Sequence, residues 1–360
     1  MLTLGELERV INSGSLDCAI QEFHFKTDSQ NQLLFFVKPE VFLLPRSADS
    51  VSVCALMLQK MSQFGADTAG AYMISGAALE RYGIMDTHYG FINRMSREAS
   101  VLLDDEERHR IYKQFPGEGP PILGGHEVLA HRPELTASAL DQIWSTKKSI
   151  KLRSGLYVQE FEIRGEQLIV VNGFHPLQLE HFTGTGHRVL LILMNSDMPW
   201  KLLRSGMLGD TFPERAHPGS IRGALHVAAR DYGFTSVTIA NNCAHVSAGP
   251  FEAAFECNNF LSRIDPSFSI SSLRLASHFS DVYLSPDELA EAIKNPATEI
   301  AGISPATPLF EITEESVIQS RRLQCTDNSI CGGSRADIVC ATCWKLRNSK
   351  TELIHKTVPG

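Results

Sequence analysis

The stretch RVLLILMN, residues 188–195, is the strongest strand signal in the chain. An unbroken apolar run of this length, closed by a polar residue at each end, suits a strand buried on both faces. Reading outward, residues 32–37 repeat the pattern with LLFFV and stop at Lys38-Pro39. Between them, residues 48–63 place Val51, Val53, Leu56, Met57 and Met61 at helical spacing, with Phe64 just beyond. AGAYMIS, residues 69–75, reads as a second strand, and a helical segment follows to about residue 96. On the far side of 188–195, SVTIA (236–240) reads as another strand. The segment after Pro250 is helical, with Phe251, Ala254, Phe255 and Phe260 on one side.

The order strand–helix–strand, then strand, loop, strand and helix, predicts an α+β fold. Its core is a ferredoxin-like βαββαβ antiparallel sheet with helices on one face. The expected divisions are an N-terminal helical segment (1–30), a split core (31–96 and 174–260), an insertion (97–173) and a C-terminal extension (261–360). The insertion holds the charged run DDEERHR (104–110), a Pro/Gly-rich loop (116–125), a helix near 136–146 and a hairpin, 156–164 with 166–171. The charged run reads as a solvated helix face. In the extension, Ser285-Pro286-Asp287-Glu288 is a helix start, with a cap, a proline at the first position and a glutamate at the third.

The 360 residues are 43% hydrophobic and 21% charged, enough to bury one large core or two ordinary ones. A formal net charge of -8 argues against a general nucleic-acid-binding surface, which needs a basic stripe. No apolar stretch reaches the length of a membrane span, and the first residues read as an amphipathic helix, so the expected location is cytoplasmic. Cys18, Cys54, Cys243 and Cys257 sit in apolar contexts, as buried thiols do. Cys325, Cys331, Cys340 and Cys343 cluster near the C-terminus with one Cys-x-x-Cys pair. That set is a candidate tetrahedral Zn2+ site, with a redox pair or free thiols as the alternatives.

Chemistry concentrates between residues 201 and 256. Lys201, Arg204, Thr211 and Arg222 offer donors to oxyanions, and arginine can do so with two parallel bonds. Pro218-Gly219 tightens the turn that presents Arg222. His245 is followed by Ser247 and, eleven positions on, by Glu256. A carboxylate that fixes the tautomer of an imidazole directs the other ring nitrogen to attack.

These residues resemble the nucleoside diphosphate kinase family. The carrying motifs are Leu208-Gly209-Asp210-Thr211, Pro218-Gly219-Ser220-Ile221-Arg222-Gly223, and Asn242-Cys243-Ala244-His245-Val246-Ser247 with Glu256. Val37-Lys38-Pro39-Glu40 is similar to the family's first-strand Lys-Pro-Asp, and His88-Tyr89 to its His-Tyr pair. The elements follow the family's order over roughly 30–96 and 174–260. The resemblance implies a phosphohistidine at His245, positioned by Ser247 and Glu256. Lys38 and Tyr89 would meet the transferring phosphate, Arg204, Thr211 and Arg222 the inner phosphates, and Asn242 the sugar hydroxyl. It also implies Mg2+ carried with the nucleotide, nucleoside di- and triphosphates as partners, and homo-oligomers.

Departures from the pattern bear on function. Val246 and Ala248 replace the family's Gly and Asp, and Val246 would be strained if that position needs a positive φ. Arg204 stands one position off the family's spacing to Thr211, and about ten extra residues separate Arg222 from His245. Two alternatives to plain nucleotide phosphotransfer follow. One is a related enzyme with a specialised acceptor, and the other is a nucleotide-binding regulatory protein without turnover.

Overall fold

A computed structural model of the chain describes residues 2–25, 29–115, 119–281, 285–300 and 304–314. The described residues fall into two compact units. One comprises the residues up to Ser75 and those from Arg188 onward, and the other is Gly76–His187.

The first unit is built on a five-stranded antiparallel sheet. Its elements are α1 (Leu4–Ser13), β1 (Cys18–Gln21), β2 (Asn31–Val37), α2 (Ser47–Gln63), β3 (Ala66–Ser75), β4 (Arg188–Ser196), α3 (Ile221–Val227), β5 (Ala244–Val246) and α4 (Pro250–Ile264). The strand order is β1-β3-β4-β2-β5. Without β1 this is the ferredoxin-like order, and the α+β class expected from the sequence is the class observed. β4 pairs with β3 along its full length and with β2 from Leu190 to Ser196, and every residue from Val189 to Ser196 is buried. That explains its uninterrupted apolar reading.

β2 is buried on both faces. Leu33, Phe35 and Val37 join Val53, Met57 and Met61 of α2 in the main core. On the opposite face Phe36 packs against Phe260 of α4, with ring centroids 5.7 Å apart. The sheet is therefore covered by α2 on one side and by α4 on the other, so helices lie on both faces where the sequence led one to expect them on one. α1 opens with a capping box between Thr3 and Glu6.

The strand expected at 236–240 is absent. A short 3-10 turn occupies Ile239–Asn241, and the fifth strand forms later, at Ala244–Val246. The side chain of Asn241 closes a capping box onto Thr238, which ends any extended run there. His245 thus lies within a strand instead of after one.

The second unit has a four-stranded sheet in the order Ile122–Gly124, Glu166–Val171, Leu156–Ile163, Ile150–Arg153. The segment expected as an insertion, 97–173, lies inside this unit. The hairpin read at 156–171 turns at Arg164 and Gly165, both at positive φ. The charged run falls on the helix Asp105–Gln114, whose Glu107 is buried and pairs with Arg153. Gly184-Thr185-Gly186 follows a helix, not a strand, so it has no phosphate-loop context.

After α4 come the helix Pro286–Ala292, with the Ser285 capping box, a hairpin of Ala297–Ile300 and Ser304–Pro308, and α5 (Leu309–Thr313). Among the described residues, no helix is long and apolar enough to cross a membrane. The four C-terminal cysteines lie outside the described residues.

Candidate active site

β5 pairs with β2 so that His245 stands opposite Phe36. Strand alternation sends Ala244 and Val246 into the main core and turns His245 to the other face. There its ring stacks on Phe36, with centroids 4.5 Å apart and planes 20° from parallel. The imidazole Nε2 lies 2.5 Å from Glu256 Oε1. Glu256 is fully buried, and its other oxygen accepts a 2.5 Å bond from Ser247 Oγ. Ser247 Oγ in turn accepts from the Leu34 N–H at 3.0 Å, which ties the group to the sheet. With Glu256 as acceptor, the proton resides on Nε2 and the lone pair on Nδ1. The ring is 22% exposed, and burial pushes its pKa down to about 3. The charge of Glu252 opposes that shift, while Lys38, Arg222 and Arg204 add to it. His245 is therefore a neutral base at physiological pH.

Cations act on this ring from nearby. Lys38 ends β2, and its N–H donates to Cys243 O at 2.9 Å. Its ammonium donates to Asn242 Oδ1 at 2.6 Å. Burial lowers the Lys38 pKa, with Glu40 opposing. Arg222, on α3, is buried and donates from Nη1 to Gly209 O (3.1 Å) and from Nη2 to Ala244 O (2.8 Å). Among the described residues its Nε is buried without a hydrogen-bond partner. Burial lowers the Arg222 pKa to about 10. Ser220 caps α3, accepting from Gly223 N–H. Gly209 allows this approach: it sits at φ +97°, and a Cβ there would lie 2.4 Å from Ser220 Oγ.

A sharp turn brings Asn242 to Lys38. Cys243 takes a left-handed φ of 67°, and its N–H donates to Glu40 Oε1 at 2.8 Å. The positive φ thus falls at Cys243. Val246 lies in β5 and is not among the described residues at positive φ, so the strain considered for it does not arise. Asn242 Nδ2 also donates to Thr211 O at 3.2 Å. Thr211 therefore joins through its backbone, while its side chain is exposed.

Arg204 lies in Leu202–Leu208, a π-helical stretch. A π turn takes up one more residue than an α turn. Arg204 is ion-paired with Glu314.

The structure joins Lys38, Arg222, Asn242, His245, Ser247 and Glu256 in the first unit. Tyr89 belongs to the second unit, where its ring packs edge-on against His88 at 4.8 Å. Sequence reasoning missed Glu252. It accepts from Ala248 N–H at 2.9 Å, and burial followed by the charge of Glu256 raises its pKa to about 7. Its signal was present as EAAFE, two glutamates four apart on one helical face.

No protein-family model and no curated protein matches the chain. Among solved structures, it is similar to a nucleoside diphosphate kinase from Encephalitozoon cuniculi. That match has 13% identity over 66% of this chain and 94% of the other, with a TM-score of 0.33. It is also similar to an NDP kinase from Pyrobaculum aerophilum, at 14% identity over 64% of this chain and 94% of the other, with a TM-score of 0.30.

Proposed function

We propose that this chain is a nucleotide phosphotransferase that moves a terminal phosphoryl group through His245. The observation that carries the proposal is the Ser247–Glu256–His245 relay, which places the imidazole proton on Nε2 and the lone pair on Nδ1. Nearby cations supply the complementary half. Lys38, Arg204 and Arg222 all act electrostatically on the His245 ring, and burial costs Lys38 and Arg222 their water. A buried Arg222 Nε–H with no partner among the described residues suits an anion. The triphosphate of a magnesium nucleotide has that chemistry.

In the proposed first half-reaction, Nδ1 attacks the terminal phosphorus. The N–P bond forms, the bridging P–O bond breaks, and the nucleoside diphosphate leaves. Positive charge that develops on the ring is stabilised by Glu256 at Nε2. Arg204 and Arg222 would hold the inner phosphates and Lys38 the transferring one. The second half-reaction reverses these bonds, with an oxygen of an acceptor diphosphate attacking phosphorus. Asn242 orients Lys38 through its amide oxygen, a role beside the sugar contact suggested by sequence. The phosphate contacts of Tyr89 and the Thr211 hydroxyl rest on the sequence resemblance alone.

A second reading, transfer to a specialised acceptor, is favoured by the size of the unit Gly76–His187, which is inserted in the chain between the paired strands β3 and β4. Preloading the protein with labelled MgATP, removing nucleotide and adding a panel of nucleoside diphosphates separates the two. Label recovered in nucleoside triphosphates supports plain phosphotransfer. Label retained against every diphosphate supports the specialised acceptor.

A further inference from the structure

Glu314 brings a carboxylate to Arg204, one of the cations assigned above to nucleotide phosphate. The pair joins residues 110 positions apart in the chain, so the path between them matters.

Three packing features hold the segment 309–314 in place. Leu309 and Thr313 are almost fully buried, and Thr313 Oγ1 donates to Leu309 O at 2.9 Å, closing the single turn of α5. Phe310 packs on Phe255 of α4, with centroids 5.6 Å apart, while its N–H donates to Asn295 Oδ1 at 2.8 Å. The segment then crosses the N-terminus of α4 at Gly249. A Cβ at Gly249 would lie 2.6 Å from Thr313 O and 3.2 Å from Glu314 Cα. Gly249 itself is extended, at φ -171°, so close approach and not backbone conformation is what asks for glycine here. It lies two residues beyond Ser247, in the loop that carries this member of the His245 relay.

The latch itself is weak by design. Side-chain exposure is 29% for Arg204 and 43% for Glu314, so water screens the pair. A carboxylate and a phosphate present the same planar pair of acceptor oxygens to a guanidinium, and the phosphate carries more charge. A buried anchor with a displaceable carboxylate at its end has the form of a substrate-mimicking strap.

We propose that residues 309–314 are an autoinhibitory strap, in which Glu314 holds the place on Arg204 that a nucleotide phosphate must take. The proposal rests on the nucleotide reading of the site and adds its regulation: whatever draws the C-terminal segment off Gly249 opens the site.

Affinity for MgATP, read by equilibrium titration on the full chain, tests this with four proteins: wild type, Glu314→Gln, Arg204→Ala and the double variant. Glu314 is partly exposed, so its amide should leave the fold intact, which a thermal melt checks. Glu314→Gln should bind MgATP about two- to fivefold more tightly than wild type, the range open to an exposed ion pair. The double variant should bind no better than Arg204→Ala, because the gain acts through Arg204. Gly249→Ala, which pushes the strap away by steric contact, should shift affinity in the same direction as Glu314→Gln. Equal affinity of Glu314→Gln and wild type would overturn the strap. So would an equal gain in the Arg204→Ala background. If Arg204→Ala weakens binding while Glu314→Gln changes nothing, the strap falls and the nucleotide site stands. If no variant binds MgATP, both fall.

Discussion

The two units bury polar groups in different ways. In the second unit, buried polarity mostly stitches backbone together. Asn172, fully buried at φ 49°, accepts from Tyr157 N–H at 3.0 Å and donates to Gly155 O at 2.8 Å. Gln159 donates to Trp144 O at 3.0 Å, and Glu107 is neutralised by Arg153. His126, pushed down to about 4 by burial, and the fully buried His175, also lowered by burial, are the exceptions, with the His126 Nδ1 2.9 Å from Ser96 Oγ. The first unit instead gathers ionisable groups beside β2 and β5, and burial moves His245, Lys38, Arg222 and Glu252 off their ordinary pKa values together. Neutral amides bonded to backbone are how a fold satisfies its interior. Several charges displaced in one place are how a site is prepared for chemistry. The contrast teaches that burial alone does not mark function, whereas burial of titratable groups against one another does.

Four measurements would break or sharpen that contrast, in falling order of expected effect. Arg222→Ala should slow phosphoryl loading of His245 about 10²–10³-fold, the loss seen when a group aimed at developing charge is removed. Rapid-quench labelling would read it, and loading at the wild-type rate would return Arg222 to a purely structural role. Asn172→Ala comes next, on stability. Losing its bonds to Tyr157 and Gly155 should cost about 2–3 kcal/mol in denaturant unfolding. A loss under about 0.5 kcal/mol would erase the structural half of the contrast.

Ser247→Ala should slow loading about tenfold, since one bond to the Glu256 carboxylate is worth about 1.5 kcal/mol. Loading is again the readout, and an unchanged rate would show that His245 and Glu256 align without it. The smallest effect concerns pH. Glu252 is raised to about 7 from its ordinary 4.5, so the folded chain holds a proton that the unfolded chain releases. Its contribution is fully present below 4.5 and is lost as pH rises through 7. His245 is depressed to about 3 from 6.5, so its contribution is full above 6.5 and is lost as pH falls toward 3. Between 4.5 and 6.5 the two oppose each other. Glu252→Gln should therefore gain stability with pH more steeply than wild type across that window, in urea unfolding at stepped pH. Parallel curves would show that Glu252 is ordinary.

Much of the sheet was legible because its central strands are buried on both faces. LLFFV and RVLLILMN carry no polar interruption that could suggest another structure. SVTIA misled because β-branched residues favour a strand locally, while the Thr238–Asn241 capping box favours a turn. The true last strand is three residues long, too short for any periodicity to register. At the site, Lys38, Arg222, His245, Ser247 and Glu256 were singled out by the resemblance of their ordered motifs to a known family, and the structure brings them together in the first unit. Glu252 was passed over because a glutamate on a helix usually faces water, and only the tertiary position of α4 brings it, partly buried, into the charge field of Glu256 and His245. Glu314 could not be read at all: its meaning depends on a contact with Arg204 that no local pattern encodes.

The central claim is that the lone pair at Nδ1 of His245 accepts a phosphoryl group, and one measurement meets it directly. Wild type and His245→Ala are incubated with labelled MgATP, and the phosphoprotein is tested for acid and base stability and mapped to a peptide. The account predicts a stoichiometric, acid-labile and base-stable label on the peptide containing His245, absent from His245→Ala. A protein that binds MgATP yet never takes up label, or one whose label persists in His245→Ala, would contradict it.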